Sequence, residues 1–443
     1  MAARRAGKVL GWAALAVAVL VHAAMLESVA SGRLNRLFND STHRKGQAVD
    51  FFTVYWGSIQ GARGASLYTY DLPHGAAPHE PPYAYSNFRY FPGFAFTIGR
   101  LLTLLEPWPA YWLWVVLVEI GCLVGAWWSW RLAAQWGAAG GWRLAAPALW
   151  LGFTPYYLEL YMGQFTLVLA VGILGLLALA EAGRERELGR TWVLTLLWKF
   201  ATALYVPVFH RLRRWGVLAA AAGAVALFTL PYFALHRADL PRFARYFVMG
   251  LGAKTHAGNH GLQTLASVVA EALWPPAWAL HAGPTELPLW RGGMLVLTLA
   301  LVVAAWRRTL RGRLDVPLML CLWTAMYFAV SRDVWEHHTL LLLPVLVWML
   351  ARLPRRRAGV LVAGVLLALP SPFVLVDVPG LPPEADPEPH WTLAVRLVYH
   401  AARALPAAWL LWVSYRELGS RVAGARDAAA APAGAVAGRG SGP

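Results

Sequence analysis

The amino-acid sequence predicts an all-α, polytopic integral membrane protein. Of its 443 residues, 58% are hydrophobic and only 14% are charged, whereas soluble domains carry about 25% charged residues. Apolar runs of about 20 residues, long enough to cross the hydrocarbon core, recur along the whole chain. Basic residues lie between these runs and are not gathered on one segment. The net charge of +16 therefore indicates cytoplasmic loops and not a nucleic-acid surface.

The basic loops determine the orientation of the chain. If the Arg-rich N-terminus is cytoplasmic and residues 8–28 cross outward, every later Arg-rich loop falls on the inner side. We therefore expect a protein of the cell inner membrane with both termini in the cytoplasm. Residues 1–30 also fit a cleavable signal peptide that ends at Ser28, Val29 and Ala30, although an apolar run of about 18 residues is long for one. Cleavage there would leave the remaining topology unchanged.

Two segments are too short or too charged to be ordinary crossings. Residues 90–105 contain Arg100, and counting them as a crossing would place most Arg loops outside, so they predict an interfacial helix in the first outer loop. Residues 191–197 and 199–209 predict a hairpin of two short helices that enters from the cytoplasmic side, with Lys199 at its turn. With residues 8–28 and this hairpin, about 12 helices are expected. The other crossings are predicted at 108–130, 143–160, 164–181, 215–235, 290–306, 316–331, 337–352, 357–375 and 391–413.

A single membrane domain is expected, since no loop is long and polar enough to fold separately. It covers residues 1–418 and contains a first outer loop at 29–109 and a second at 236–289. Residues 419–443 are rich in Ala, Gly and Pro and predict a disordered cytoplasmic tail. The two cysteines lie in distant apolar runs, so neither a disulfide nor a thiolate metal site is indicated.

The topology gathers polar side chains on the outer side of the membrane. Asp50 lies just after the first span, where a carboxylate could serve as the base of an enzyme that acts on lipid-borne substrates. Asp is also a favoured helix N-cap, and Asp50 precedes the helix-like run FFTVYWGSI, so capping is the alternative. Ionisable groups beside apolar helices are costly and indicate a functional site. The other members of this outer set are Tyr55, Tyr68, Arg89, Tyr90, His256, Asn259, His260, Arg332, Asp333, Glu336, His337 and His338.

The last predicted helix carries Arg396, His400 and Arg403, spaced so that all three project from one face. Because the guanidinium fork matches phosphate oxygens, one interpretation is a phosphate site. The alternative is that Arg396 extends to the membrane surface while the other two line a helix contact. Both interpretations remain open from the sequence.

Four other ionisable residues need an account. Lys199 either binds substrate or contacts carbonyl groups at the turn of its hairpin, and Glu119 is expected to be structural, paired with an Arg across the bundle. Consecutive helical residues point about 100° apart, so His337 and His338 cannot easily ligate one metal ion together. No metal is predicted, and one of the two histidines is expected to face a polar cavity.

A base beside a cationic pocket suits the transfer of a sugar from a polyprenyl phosphate. The carboxylate would take a proton from an acceptor hydroxyl, and that oxygen would attack the anomeric carbon from the face opposite the phosphate, with inversion. The lipid phosphate leaves as a stable anion, so cations and hydrogen-bond donors are sufficient and no cofactor is required.

Six segments in order resemble glycosyltransferase family 87, polyprenol-phosphate-mannose-dependent enzymes of the GT-C membrane superfamily. The resemblance spans roughly residues 48–350. It departs from the family pattern at Thr166 (usually Asn), at Phe200 after the Lys, at His260 and Gly261 (usually Gln and Ser) and at Arg332 (usually Pro). The segments are DFFTVYWGSIQGARGASLY, FRYFPGFAF, GQFTLVLA, LLWKFATALYVP, GNHGLQTL and SRDVWEHHTLLLLP.

The resemblance implies a GT-C-like fold and assigns roles to particular residues. Asp50 is the implied catalytic base, and Lys199, Asn259, His337 and His338 are implied to bind the donor phosphate or sugar. The implied partners are a polyprenyl-phosphate-linked sugar, with mannose the usual sugar, a glycolipid or glycan acceptor, and membrane lipid, but no nucleic acid. The residues expected to bind the acceptor or to shape the site are Tyr55, Tyr68, Arg89, Tyr90, Gln164 and Glu336.

Two other functions remain open from the sequence. A transporter or flippase of a lipid-linked sugar would also need a cationic cavity, but transporters often contain inverted repeats and no repeat is apparent here. A scaffold subunit of an envelope-assembly complex would keep the fold while tolerating the loss of Asp50.

Overall fold

The computed structural model describes residues 2–38, 46–68, 88–247, 257–273, 288–370, 373–376, 378–381 and 386–419. All regular secondary structure in these ranges is helical, which confirms the all-α fold class. His256, parts of both predicted outer loops and the predicted tail from residue 420 onward lie outside the described residues. The prediction of a disordered tail therefore stays a prediction.

The helices follow one another with short connections. Short segments of other helix types join several of them, namely a π-helix at Ala95–Gly99 and 3₁₀-helices at Phe200–Tyr205, Arg237–Asp239, Glu336–Leu342, Pro354–Arg356 and Glu388–His390. The α-helices are α1 (Ala2–Ser31), α2 (Asn35–Phe38), α3 (Val49–Ala62), α4 (Pro92–Phe94), α5 (Arg100–Leu102), α6 (Pro107–Gln135), α7 (Gly141–Leu151), α8 (Pro155–Met162), α9 (Thr166–Glu181), α10 (Glu185–Trp198), α11 (Val206–Arg211), α12 (Trp215–Leu235), α13 (Leu240–Phe247), α14 (Leu262–Leu273), α15 (Pro288–Arg311), α16 (Val316–Val330), α17 (Leu343–Arg352), α18 (Arg357–Ala368), α19 (Phe373–Val376) and α20 (Leu393–Glu417).

Four helices in the described part of the chain are long and apolar enough to cross a membrane: most of α1, all of α6 and α12, and most of α15. A fifth candidate arises if the segments Glu336–Arg352 and Pro354–Ala368, which meet at 113°, count as one broken span. These helices confirm the membrane character of the protein. The other predicted crossings correspond to helices that are shorter or interrupted or, in the case of α20, not apolar enough, so the expectation of about 12 helices across the membrane is not confirmed.

The prediction of one helix at residues 143–160 is wrong. The chain there forms α7 and α8, separated at residues 152–154. The cause is local: Pro155 lacks an amide hydrogen and cannot continue the hydrogen bonds of α7, so it begins a new helix at its first position. The break turns the C-terminal end of α8 toward α3, which positions the candidate site described below.

The chain also breaks at Lys199, as predicted. Lys199 is extended, with φ −154° and ψ 132°, between α10 and the 3₁₀-helix Phe200–Tyr205. Helix α10, the first arm of the predicted hairpin, begins earlier than predicted, at Glu185, because two glutamates in its first turn stabilise the positive end of the helix dipole. The helical run from Pro92 to Leu102 confirms a helix within the predicted interfacial segment at 90–105.

Buried apolar side chains form one main core. Helix α16 and the C-terminal half of the segment 336–352 are buried on nearly all sides. Helices α1, α12 and α15 instead expose much of their apolar surface, as helices that face lipid do. Helix α9 packs against the 3₁₀-helix Glu336–Leu342 and against α16, so the centre of the molecule joins the middle of the chain to its C-terminal third.

Candidate active site

Asp50 lies in the first turn of α3 and is not its N-cap, so the capping interpretation is wrong. The N-cap is Ala48, whose φ of 64° lies in the left-handed region. The amide of Ala48 donates a hydrogen bond to the carbonyl oxygen of Tyr161 at 2.7 Å, which ties this unusual turn to the end of α8. A carboxylate in the first turn still interacts favourably with the helix dipole. The turn therefore presents Asp50 toward the segment that follows α8.

Gly163 and Gln164 bring that segment against α3. Gly163 ends α8 with a φ of +67°, and a Cβ atom there would lie 2.5 Å from the Cβ of Phe51, so only glycine permits the approach. The side-chain amide of Gln164 then donates a hydrogen bond to Oδ2 of Asp50 at 2.5 Å. The indole of Trp114 donates to the carbonyl oxygen of Gln164 at 3.0 Å. Gln164, an expected site-shaping residue, thus orients the predicted base.

Lys199 reaches the same short segment from the other side. Its ammonium donates a hydrogen bond to Oγ1 of Thr166 at 2.8 Å. It also interacts electrostatically with Asp50 and with Glu159. Asp50 and Lys199 are therefore held at Gln164 and Thr166, two residues apart on one segment. The structure brings together a carboxylate and an ammonium that the sequence separates widely.

Glu159 is a site residue that the sequence reasoning missed. It is completely buried, and its Oε1 accepts the backbone amides of Thr166 and Leu167 at 2.5 and 2.7 Å. These amides open α9, so Glu159 caps that helix from the preceding one. The available signal was a lone carboxylate in the apolar run PYYLELYM, which the rule for intramembrane charges would have flagged.

Tyr90 forms part of the wall of the site. Its ring stacks on Phe94 with centroids 4.8 Å apart and meets Phe165 edge-on at 5.5 Å. The hydroxyl of Tyr68 donates a hydrogen bond to the carbonyl oxygen of Tyr90 at 2.7 Å, so Tyr68 positions Tyr90 from behind. Tyr55 is engaged elsewhere, since its hydroxyl donates to the carbonyl oxygen of Leu105 at 2.7 Å.

The electrostatic surroundings of Tyr90 keep its phenol protonated. Burial raises the pKa of Tyr90, and the carboxylates of Asp50 and Glu159 raise it further, while the Arg89 guanidinium lowers it. Tyr90 is therefore a neutral O–H donor at any physiological pH. The half-exposed Arg89 lies 4.0 Å from the carboxylate of Asp333, and this pair connects the Tyr90 segment to the turn before His337 and His338.

The two histidines lie in the 3₁₀-helix Glu336–Leu342, which packs against α8 and α9. The amide of Trp335 donates a hydrogen bond to Nδ1 of His338 at 3.0 Å. In the neutral ring the hydrogen is therefore on Nε2, which makes that atom a donor. Both rings interact electrostatically with Lys199. In the described part of the chain, no three His, Cys, Asp or Glu side chains are grouped to hold a metal ion.

Asn259 supports the histidine turn through backbone contacts. It is completely buried; its amide nitrogen donates to the carbonyl oxygen of Arg332 at 2.7 Å, and its Oδ1 accepts the amide of Val334 at 3.1 Å. Its own carbonyl oxygen accepts a hydrogen bond from His400 at 2.8 Å. These contacts favour a role in positioning the turn. Direct donor binding by Asn259 stays a prediction.

Internal ion pairs occupy the cationic face of α20. Arg403 and Glu336 are both buried and form an ion pair at 2.6 Å, and Arg403 also donates to backbone carbonyl groups that include that of Leu369 at 2.7 Å. Arg396 binds Glu388 at 3.0 Å and Glu271 at 2.5 Å. His400 lies 3.3 Å from Glu388. These contacts favour the helix-contact interpretation over the phosphate site.

Glu388 and Glu119 are two further internal carboxylates. Burial raises the pKa of Glu388, but His400 and Arg396 lower it by more, so that it lies below its ordinary value. Glu119 accepts hydrogen bonds from the ring of His22 at 2.8 Å and from the hydroxyl of Tyr156 at 2.7 Å. The expected Arg partner for Glu119 is therefore wrong, because His22 of α1 and Tyr156 of α8 contact its carboxylate instead.

Comparison with known proteins gives one family. The family model for glycosyltransferase family 87 matches residues 88–331, more than half of the chain. No curated protein and no solved structure matches. The matched range includes Gln164, Lys199 and Asn259, while Asp50 and the two histidines lie outside it. The chain belongs to glycosyltransferase family 87 and is an enzyme that transfers sugar.

Proposed function

We propose that the protein is an inverting glycosyltransferase that moves mannose from a polyprenyl-phosphate donor to a glycolipid or glycan acceptor at the outer face of the cell inner membrane. The observation that carries this proposal is the convergence of Asp50 and Lys199 on the segment Gln164–Thr166. A base and a cation held on one short segment can act on the attacking hydroxyl and on the departing phosphate of one displacement reaction.

Asp50 is the general base in this proposal. Its carboxylate removes the proton from the acceptor hydroxyl while that oxygen forms a bond to the anomeric carbon. The bond between the anomeric carbon and the phosphate oxygen breaks on the opposite face, and the electron pair leaves with the polyprenyl phosphate. Gln164 fixes the direction of the carboxylate through a donated hydrogen bond and leaves it ionised. The sugar is therefore transferred with inversion.

Cations and neutral donors stabilise the departing phosphate. Lys199 supplies a positive charge beside the base, and Nε2–H of His338 supplies a neutral donor from the turn that Asn259 supports. Such prearranged groups stabilise charge that develops during bond breaking. A phosphate diester that becomes a monoester gains negative charge, so the cation contributes most in the transition state.

An apolar cleft beside the polar site supports a lipid-linked donor. Trp198, the residue before Lys199, forms one wall, and Trp114, which holds the carbonyl group of Gln164, forms another. A polyprenyl chain is a suitable occupant because apolar surface excludes water from both partners. The remaining lining consists of Ile98, Leu101, Leu102, Leu105, Ala110, Leu113 and Leu117.

The deciding experiment is a donor assay with the purified protein in nanodiscs. Wild-type protein is expected to release polyprenyl phosphate from polyprenyl-phosphate mannose in the presence of a glycolipid acceptor. Asp50→Asn is expected to fold and to abolish release. Asp315→Asn is the matched control, because it alters an N-cap at which Asn serves equally well and is expected to retain activity. Full transfer by Asp50→Asn would remove Asp50 from the role of base. Transfer from a nucleotide sugar alone would exclude the lipid-linked donor.

A further inference from the structure

Glu159 has a feature that its capping role does not use. One oxygen, Oε1, satisfies both amides at the start of α9. The other, Oε2, is buried and has no hydrogen-bond partner among the described residues. A buried carboxylate is costly unless a positive charge compensates it. A polar but neutral side chain could cap α9 equally well, so the negative charge itself requires an explanation.

Lys199 is the cation that compensates Glu159, and Thr166 connects the two. The amide of Thr166 donates to Glu159 while its hydroxyl oxygen accepts from the Lys199 ammonium. Glu159 and Lys199 also interact electrostatically. The carboxylate is therefore attached to the same residue that directs the ammonium. Its position is fixed by two backbone amides, so it cannot follow Lys199 if the lysine moves toward a ligand.

We propose that Glu159 is a positioning residue for the donor, which keeps the Lys199 ammonium charged and directed through Thr166 toward the donor phosphate. The inference rests on the proposed function, since it takes a polyprenyl-phosphate sugar as the ligand of Lys199. Asp50 is the other carboxylate that interacts with Lys199, but Asp50 receives a proton during transfer. Glu159 is thus the one of these two carboxylates that takes no part in the proposed proton transfer.

The first test separates charge from capping. Glu159→Gln keeps an oxygen that accepts both amides of α9 but removes the negative charge. The KM for polyprenyl-phosphate mannose is expected to rise by about tenfold or more, the loss seen when a carboxylate that orients a metal-binding residue is removed. The kcat at saturating donor is expected to fall as well, because Lys199 also stabilises the departing phosphate. An unchanged KM would overturn the proposal and leave Glu159 as a helix cap only.

Thr166 provides a second route to the same test if Glu159→Gln does not fold. Thr166→Val removes the hydroxyl that directs Lys199 and retains the backbone amide that binds Glu159. It is expected to raise the donor KM in the same way, whereas Thr166→Ser keeps the hydroxyl and is expected to behave like the wild type. Equal KM values for the Val and Ser variants would contradict the proposal.

Thermal unfolding of the nanodisc-embedded protein tests the charge pair without any donor. Lys199→Met leaves Glu159 buried without its cation and is expected to lower the unfolding midpoint. Adding Glu159→Gln to that variant is expected to recover most of the loss, and a double variant no more stable than Lys199→Met would overturn the pairing. This readout also separates the two proposals. If Glu159→Gln restores the stability lost in Lys199→Met but the wild type does not use the polyprenyl donor, only the proposed function is rejected. If Asp50→Asn is inactive but Glu159→Gln does not restore that stability, only the role of Glu159 is rejected.

Discussion

Replacing Gly163 with alanine tests whether the contact between α8 and α3 places the carboxylate of Asp50, the proposed base. The change has two costs. A non-glycine residue at a φ of +67° costs about 1–2 kcal/mol. The new Cβ atom would also lie 2.5 Å from the Cβ of Phe51, where carbon atoms normally sit about 3.5–4.0 Å apart. Restoring a normal distance between these two carbon atoms requires a shift of about 1 Å, and such overpacking costs about 1–3 kcal/mol. The total expected loss of stability is about 2–5 kcal/mol.

The same shift would alter catalysis, because Phe51 and Asp50 are neighbours on α3 and Gln164 follows Gly163. A displacement of about 1 Å is expected to break the hydrogen bond between Asp50 and Gln164 and to lower kcat by about 100-fold. The assay is polyprenyl phosphate release at saturating donor, together with thermal unfolding in nanodiscs. Gly183→Ala is the matched control, since Gly183 has the same φ of +67° but no atom within 4 Å of the added Cβ.

The control isolates the effect of the close approach. Gly183→Ala is expected to lose only the conformational contribution of about 1–2 kcal/mol and to keep normal kcat. If Gly163→Ala matched Gly183→Ala in both stability and kcat, the approach of α8 to α3 would not position Asp50, and the reasoning would be refuted.

Two further predictions concern the ion pairs of the last helix. Arg403→Met is expected to destabilise the protein by about 3–5 kcal/mol because it leaves the buried Glu336 without its cation. Adding Glu336→Gln is expected to restore most of the stability. A rise in donor KM without loss of stability would instead support a phosphate site at Arg403. The pKa of Glu388 lies below its ordinary value of 4.5, since the contacts with His400 and Arg396 outweigh burial. Its ionised form therefore contributes stability above about pH 4.5 that is lost as the pH falls through the lower folded value, and the unfolding midpoint of Glu388→Gln measured between pH 6 and 3 is expected to lack this component.

The sequence predicts those features that depend on local chemistry. Hydropathy and the distribution of Arg indicate a helical membrane protein, and the polar Lys199 inside a short apolar stretch predicts the break that ends α10. The break after α7 could also have been predicted from the sequence, because Pro155 marks the start of a helix. Hydropathy averaged over the window 143–160 hid this signal, since the flanking residues on both sides are apolar.

Long-range partners are the part that the sequence could not predict. Asp50 and Gln164 are 114 residues apart, and no periodic pattern in either segment specifies their contact. The three residues on the face of α20 were correctly grouped, but whether they bind phosphate depends on carboxylates elsewhere in the chain. Glu336, 67 residues before Arg403, is already its partner. A charge pattern on one helix therefore identifies a buried polar face but not the groups that bind to it.

The segment Gln164–Thr166 gives the site its rigidity. A base and a cation that act on one displacement must keep a fixed separation, and Asp50 and Lys199, for which these roles are proposed, are each bound to a residue of one short stretch between α8 and α9. That stretch is fixed at both ends, by the left-handed turn at Gly163 and by the carboxylate of Glu159 on the first amides of α9. Movement of α3 or α10 alone would therefore have to break the hydrogen bond of Asp50 to Gln164 or of Lys199 to Thr166 before it changed the distance between Asp50 and Lys199. Substitutions that leave this stretch intact, even within the lipid-facing helices, are expected to alter stability more than kcat.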